Sequence, residues 1–168
     1  MIVLVARLAL AWLFLAGALH KLRNSGAFIR TLASYALLPG TFLPAAAWLV
    51  MLAELAVGLG ALLQLRPSYV AALTLLLVYA IAMGVNLARG RSLIDCGCGA
   101  GDQPISVALI VRNCVLAVGA GFAATATAAR PSDWIDLLAV AAGVLCCGLA
   151  YAAINALLAE RARLDEWV

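Results

Sequence analysis

Five long apolar segments constrain the fold of this chain more than any other feature. A helix that crosses a bilayer needs about 20 mostly apolar residues. Lipid offers no hydrogen-bond partners to the backbone, so segments of this length and apolarity must be helical. We therefore predict an all-α, polytopic membrane helical bundle that forms a single domain over residues 1–168. The predicted spans are residues 2–19, 44–65, 69–87, 105–129 and 134–158.

The composition supports this prediction and excludes one class of partner. Hydrophobic residues make up 67% of the chain and charged residues 11%, whereas a soluble domain is about 25% charged. The net charge is +3, and the basic residues are spread over the ends of the predicted helices. No basic cluster for nucleic acid is present, so the expected surroundings are the lipid bilayer.

Two shorter segments connect the predicted spans near the N-terminus. Residues 26–38 carry apolar side chains at helical spacing, which predicts a short helix at the membrane interface. Pro39 and Gly40 then end that helix. Arg66 and Pro67 predict a tight turn between the second and third spans.

The loop of residues 88–104 carries the strongest functional signal, Cys96-Gly97-Cys98. A disulfide across one intervening residue closes a strained ring, and strained disulfides are readily reduced. Glycines at and after position 97 supply the backbone freedom that such a ring needs. The pattern therefore favours a disulfide that exchanges over one that only stabilises the fold.

Charged residues near the two cysteines are candidates for tuning their reactivity. Arg89 and Arg91 precede the pair and would lower the pKa of a thiol by stabilising its thiolate. Asp95 would oppose that effect or accept a proton. Arg112 lies one turn inside the fourth span and approaches the loop from the membrane side.

Two alternatives for the cysteine loop remain open at this point. One is a glycine-rich loop with incidental thiols. The other is a site for a soft metal ion, since thiolates select such ions. Two thiolates are fewer than zinc usually takes from a protein, so no metal is predicted.

Further cysteines and charges lie inside the predicted spans. Cys114 and the Cys146-Cys147 pair lie at similar depth and could face each other as an electron relay from the loop. The alternative is that they are buried cysteines that pack as small hydrophobic side chains. Intramembrane charges are costly and mark a function or a specific pair. Arg7 and Glu54 are therefore predicted to pair, with a proton path as the alternative.

Positive residues indicate the side of the membrane on which the loop lies. With five spans, the cysteine loop shares a side with the first loop and the C-terminal tail. That side carries most of the basic residues, which favours the cytoplasm. They are Lys21, Arg23, Arg30, Arg89, Arg91, Arg161 and Arg163, against Arg66 and Arg130 on the other side.

Three stretches resemble the MauE family of methylamine utilisation, part of the DoxX-like group of small membrane proteins. They are the loop from Asn86 to Gly99, the first span with Arg7 and Gly17-Ala-Leu-His-Lys21, and Glu54-Leu-Ala-Val-Gly-Leu-Gly60. The resemblance implies a DoxX-like four-helix core, extended here by one helix, in the bacterial cytoplasmic membrane. It also implies a thioredoxin-like partner, MauD, and a role in maturing the disulfide-rich small subunit of methylamine dehydrogenase. Cys96 and Cys98 would be the redox pair.

A partner that acts on exported proteins would require the cysteines on the outer face, in conflict with the charge pattern. The leading hypothesis is a membrane thiol–disulfide oxidoreductase that exchanges electrons with a thioredoxin-like protein and, through it, a disulfide-containing client. A quinone or the deeper thiols would reset the pair. The alternatives are a soft-metal-handling membrane protein and a non-catalytic membrane anchor of an oxidoreductase.

Overall fold

Five long apolar helices and one short helix make up the architecture. The computed structural model describes residues 1–97, 103–127 and 133–165, with side chains to residue 160. Over these ranges five helices are long and apolar enough to cross a membrane, and the β-structure is a single isolated bridge. The predicted all-α polytopic membrane protein is confirmed. Its elements are α1 (Ile2–Arg23), α2 (Ser25–Ser34), a 3-10 turn (Gly40–Phe42), α3 (Leu43–Leu62), α4 (Arg66–Ala88), α5 (Val107–Thr125) and α6 (Trp134–Asp165).

Four of the long helices form a closed bundle and the fifth lies outside it. Helix α1 packs against α3 and α5, and α4 packs against the same two helices. Helix α6 packs mainly on α1, where its Gly143 and Gly148 face Val5 and Trp12. This is the four-helix core with one additional helix that the resemblance implied.

Glycine allows α1 and α3 to approach each other closely. A Cβ atom on Gly58 would lie 2.7 Å from the side chain of Leu15 and 3.0 Å from its backbone nitrogen. Small residues at helix contacts permit such packing between apolar helices. The close approach brings the inward faces of α1 and α3 together over their length.

The structure corrects three predicted boundaries. Helix α2 ends at Ser34 and Gly40 begins the 3-10 turn, so Pro39 and Gly40 do not end α2 as predicted. Arg66 and Pro67 form the first turn of α4, and the turn before it contains Gln64 with a φ of 58°. The predicted Arg66-Pro67 turn is therefore wrong, because proline, with no N–H and a helical φ, suits the first turn of a helix. Helix α1 continues to Arg23, so Lys21 lies within a helix rather than in a connecting loop.

Arg7 closes the C-terminal end of α5. Its guanidinium donates to the carbonyl oxygen of Ala123 from Nε and Nη2, at 3.1 and 2.9 Å, and to that of Ala126 at 2.9 Å. It also lies over the ring of Tyr69, 4.8 Å from the centroid. The last carbonyls of a helix have no partner in the helix and carry partial negative charge. Arg7 satisfies them, and the predicted Arg7–Glu54 pair does not form.

Two groups of buried apolar residues occupy opposite ends of the bundle. The larger one lies at the Arg7 end and includes Phe14, Tyr69 and Leu76. The smaller one lies at the other end and joins α4 and α5 to the segment around Cys96. Its buried members are Tyr35, Met83, Cys96, Ile105 and Leu109. The cysteine loop is therefore packed into one end of the bundle.

Candidate functional site

Backbone pairing holds the described parts of the cysteine loop. The N–H of Cys96 donates to the carbonyl of Gln103 at 2.8 Å, and the N–H of Ile105 donates to that of Ile94 at 2.9 Å. Asp95, which bridges to Pro104, accepts hydrogen bonds on one carboxylate oxygen from the N–H groups of Gly97 and Gln103, both at 3.3 Å. Asp95 therefore holds Gly97 and Gln103 in place on the two sides of residues 98–102.

The loop is seated on the segment that follows α1. The hydroxyl of Tyr35 donates to the carbonyl of Cys96 at 3.2 Å. Gly97 has a φ of +66°, and a Cβ atom there would lie 3.1 Å from the Thr31 side chain on α2. Both the backbone conformation and the contact favour glycine at this position. Cys96 is consequently only 9% exposed, and its sulfur lies 3.8 Å from the side-chain oxygen of Gln103.

A cavity of about 120 Å³ lies beneath the loop and is only partly enclosed. Cys96 and Gly97 form part of its wall. The rest comes from all six helices and is mostly apolar or aromatic. Its other aromatic and polar lining residues are Phe14, Lys21, Phe28, Thr31, Tyr35, Glu54, Tyr79, Arg112, Asn113 and Tyr151.

A buried ion pair forms one polar part of the cavity wall. Nζ of Lys21 lies 2.7 and 2.8 Å from the two carboxylate oxygens of Glu54, and the Tyr79 hydroxyl donates to Glu54 at 2.7 Å. Lys21 is 6% and Glu54 3% exposed. The partner of Glu54 is thus Lys21, which is about 21 Å further along α1 than Arg7. Gly17 on α1 lies beside the pair, where a Cβ atom would be 3.7 Å from Nζ of Lys21.

Arg112 and its neighbours form the second polar part of the wall. The guanidinium of Arg112 donates to the side-chain oxygen of Asn155 on α6 and lies over the ring of Tyr151, 5.5 Å from the centroid. The backbone carbonyl of Asn155 accepts from Gln103 at 3.3 Å. Arg112 lines the same cavity as Cys96. The hydrogen bond from Gln103 to Asn155 connects the loop to α6.

The other predicted site residues are not brought to this cavity. Arg89 and Arg91 are exposed beyond the end of α4, and the described contacts join neither of them to Cys96. Cys114, Cys146 and Cys147 are exposed on the outer faces of α5 and α6. A relay through these three thiols stays a prediction, and Cys98 lies outside the described residues.

Comparison with known proteins identifies one family whose sequences match most of this chain. The family model described as "Methylamine utilisation protein MauE" matches residues 1–126. The chain belongs to the MauE family. That match spans α1 to α5 and the cysteine loop, and so includes every helix of the four-helix core. No solved structure matches the chain.

Curated MauE proteins are similar to this chain over most of their own length. A methylamine utilization protein MauE from Paracoccus denitrificans is 36% identical over 154 residues, or 86% of this chain and 83% of that protein. One from Paracoccus versutus is 41% identical over 133 residues, or 76% and 72%. One from Methylorubrum extorquens is 31% identical over 165 residues, or 94% and 83%.

Several residues of the site in this MauE-family chain were missed by sequence reasoning. Asn113 and Asn155 are amides inside apolar spans, and such polar residues commonly hydrogen-bond between helices. That signal could have identified both. Lys21 was assigned to a loop because the first span was ended too early. The remaining missed residues, Tyr35, Tyr79 and Gln103, carried no signal in the sequence because their roles depend on tertiary contacts.

Proposed function

We propose that the chain is a membrane thiol–disulfide redox protein of methylamine utilisation, in which Cys96 and Cys98 exchange electrons with a thioredoxin-like partner. Through that partner the pair would serve a disulfide-containing client, the small subunit of methylamine dehydrogenase. Membership of the MauE family supports the pathway. The Cys-Gly-Cys spacing supports the chemistry, since a strained disulfide exchanges readily.

The position of Cys96 is the observation that carries this proposal. Its backbone is fixed by hydrogen bonds to Gln103 and Tyr35, while Gly97 beside it has the positive φ that a tight Cys-Gly-Cys ring can use. Cys96 packs with buried apolar residues and also lines a cavity. A rigid backbone beside open space suits a pair that opens and closes repeatedly.

Burial of Cys96 assigns different roles to the two sulfurs. Thiol–disulfide exchange requires access to the attacked sulfur, and Cys96 is 9% exposed at the top of the bundle. A protein-sized partner cannot approach it without displacing the loop. In our proposal Cys98 therefore forms the mixed disulfide with the partner, and Cys96 resolves it.

Mixed-disulfide trapping tests this assignment. In the Cys96→Ser variant the resolving sulfur is absent, so a disulfide between Cys98 and the partner should accumulate. We expect at least tenfold more trapped thioredoxin-like protein with Cys96→Ser than with Cys98→Ser, measured on non-reducing gels with the partner identified by mass spectrometry. Cys114→Ser is the matched control and should trap no more than the wild type.

Other outcomes would favour the alternatives. If neither variant traps a partner while the wild type turns over, the exchange proposal is wrong. If double Cys→Ser substitution leaves maturation intact while deletion of the loop abolishes assembly, the chain is an anchor subunit. A stoichiometric soft metal ion that is lost with the two cysteines would establish metal handling instead.

We place the protein in the bacterial cytoplasmic membrane with the cysteine loop on the cytoplasmic side. Lys21 is buried in an ion pair and contributes no exposed charge to the loop end. Exposed Arg23, Arg30, Arg89 and Arg91 still lie at the loop end, against Arg66 at the other end. An excess of exposed arginine favours the cytoplasmic side.

Labelling of single cysteines in intact cells checks the orientation. In a cysteine-free background we expect a membrane-impermeant maleimide to label Leu63→Cys, in the turn between α3 and α4, and to leave Ser92→Cys unlabelled until the cells are lysed. Both positions are exposed. The reverse pattern would place the loop on the outer face, where exported proteins mature.

A further inference from the structure

Two hydrogen-bond donors on the cavity wall have no partner among the described residues. They are Nε of Arg112 and Nδ2 of Asn113. Asn113 is 2% exposed, and both residues line the cavity beneath Cys96. A buried N–H group without a partner is unfavourable. Because Arg112 and Asn113 are adjacent in α5 and both line the cavity, a ligand that brings an acceptor oxygen would supply the missing partner.

The remainder of the wall defines the body of that ligand. Phe14, Phe28, Tyr79 and Tyr151 contribute aromatic rings, and most other lining side chains are apolar. The volume is about 120 Å³, and an apolar protein cavity of roughly 150 Å³ holds benzene. The enclosed part of the cavity therefore suits one six-membered ring, and ring substituents would extend through its open side.

A third donor lies on a different wall. The Lys21 ammonium carries three N–H groups, of which two donate to the carboxylate of Glu54. Lys21 belongs to α1, whereas Asn113 belongs to α5. A ring with acceptor oxygens at two positions could accept hydrogen bonds from donors on both α1 and α5.

We propose that this cavity binds the ring of a para-quinone from the membrane and that the quinone accepts electrons from the cysteine pair. A para-quinone has an apolar six-membered ring with two carbonyl oxygens, which matches a mostly apolar wall with donors on both α1 and α5. Cys96 lies in the same wall. The redox part of this inference rests on the proposed function, whereas the binding part depends only on the cavity.

The step balances without a further reactant. Cys96 and Cys98 lose two electrons and two protons as their S–H bonds break and the S–S bond forms. The quinone gains both electrons, and each of its carbonyl oxygens gains one proton, which yields the quinol. The reduced pair left by exchange with the thioredoxin-like partner is thereby returned to the disulfide.

Two ligands of the same shape test the binding site. Duroquinone and durene are both tetramethyl-substituted six-membered rings, but only duroquinone carries carbonyl oxygens. Binding to the full-length protein in lipid nanodiscs is measured with labelled duroquinone and corrected with protein-free discs. We expect duroquinone to bind about tenfold more tightly than durene, the ratio that corresponds to ~1.4 kcal/mol. Equal affinities would overturn the proposal, and this comparison needs no substitution.

A matched pair of variants locates the site. Asn113→Leu removes the donor at similar volume and should abolish the preference for duroquinone. Asn86→Leu changes another fully buried amide, which does not line the cavity. This variant should still prefer duroquinone over durene. A preference retained in Asn113→Leu, or lost equally in both variants, would contradict a site at Asn113.

The outcomes for the two proposals can be separated. Binding is repeated with Cys96 and Cys98 both replaced by serine, where the preference for duroquinone should persist. If neither the wild type nor the double serine variant prefers duroquinone, but a partner is trapped, the quinone site is wrong and the exchange function is still supported. Reduction of duroquinone by the dithiol form should give one quinol per chain, and none with Cys98→Ser. Binding without reduction would overturn the redox part.

Discussion

Replacement of Glu54 by glutamine is expected to lower the free energy of unfolding by about 3–5 kcal/mol, because removal of one partner of a buried ion pair leaves the other charge uncompensated. Lys21 is 6% exposed and donates two hydrogen bonds to this carboxylate. Tyr79 also donates to it. A glutamine side chain keeps the shape and one acceptor oxygen but not the charge. Unfolding in a detergent titration, followed by circular dichroism, measures the loss.

Two comparison variants separate loss of the pair from loss of a charge in general. Asp133→Asn likewise replaces a carboxylate by its amide, at an exposed position just before α6, and surface substitutions are usually within about 0.5 kcal/mol of the wild type. The double variant Lys21→Met with Glu54→Leu removes both charges and should recover most of the stability, since apolar replacement of a buried pair is often neutral. If Glu54→Gln is as stable as the wild type, the pair does not stabilise the bundle.

Replacement of Arg7 by methionine is expected to lower the free energy of unfolding by about 3 kcal/mol. The guanidinium donates to two carbonyls at the end of α5, Ala123 and Ala126, and hydrogen bonds to charged groups contribute about 1.5–3 kcal/mol each. Methionine restores the length of the side chain but leaves both carbonyls without this donor in an apolar end of the bundle. The same detergent titration gives the magnitude.

Lysine at position 7 and methionine at position 66 provide the controls. Arg7→Lys keeps the charge at the helix end but not the planar fork, so it should lose roughly half as much stability as Arg7→Met. Arg66→Met removes an exposed arginine from the first turn of α4 and should change little. Equal effects of Arg7→Met and Arg66→Met would show that Arg7 does not hold the end of α5.

The cysteine loop shows how far sequence reasoning reached into the site. Cys96 and Arg112 were both predicted from the sequence, and the structure brings them to one cavity. Asp95 was predicted to affect the thiols, whereas it accepts backbone hydrogen bonds that shape the loop. The cavity itself could not be predicted, because its walls come from residues that are distant along the chain.

The intramembrane charges show where sequence reasoning failed. Arg7, Lys21 and Glu54 were all visible as costly residues in or beside apolar spans, and a buried partner for Glu54 was correctly expected. The choice of partner was wrong because it depends on the depth at which α1 and α3 meet. An extension of α1 by one turn was enough to bring Lys21, rather than Arg7, to Glu54.

The sequence by itself determined that the chain crosses a membrane as helices and that Cys96 and Cys98 lie in the segment between two of them. The length and apolarity of the five segments are sufficient for this conclusion, because the bilayer core leaves no backbone N–H or C=O group without a hydrogen-bond partner. Only the tertiary structure decided which helices adjoin, which charges pair and where the cavity lies. A helix that is apolar on every face does not reveal which face turns inward. That choice is made by close packing at positions such as Gly58 and Leu15.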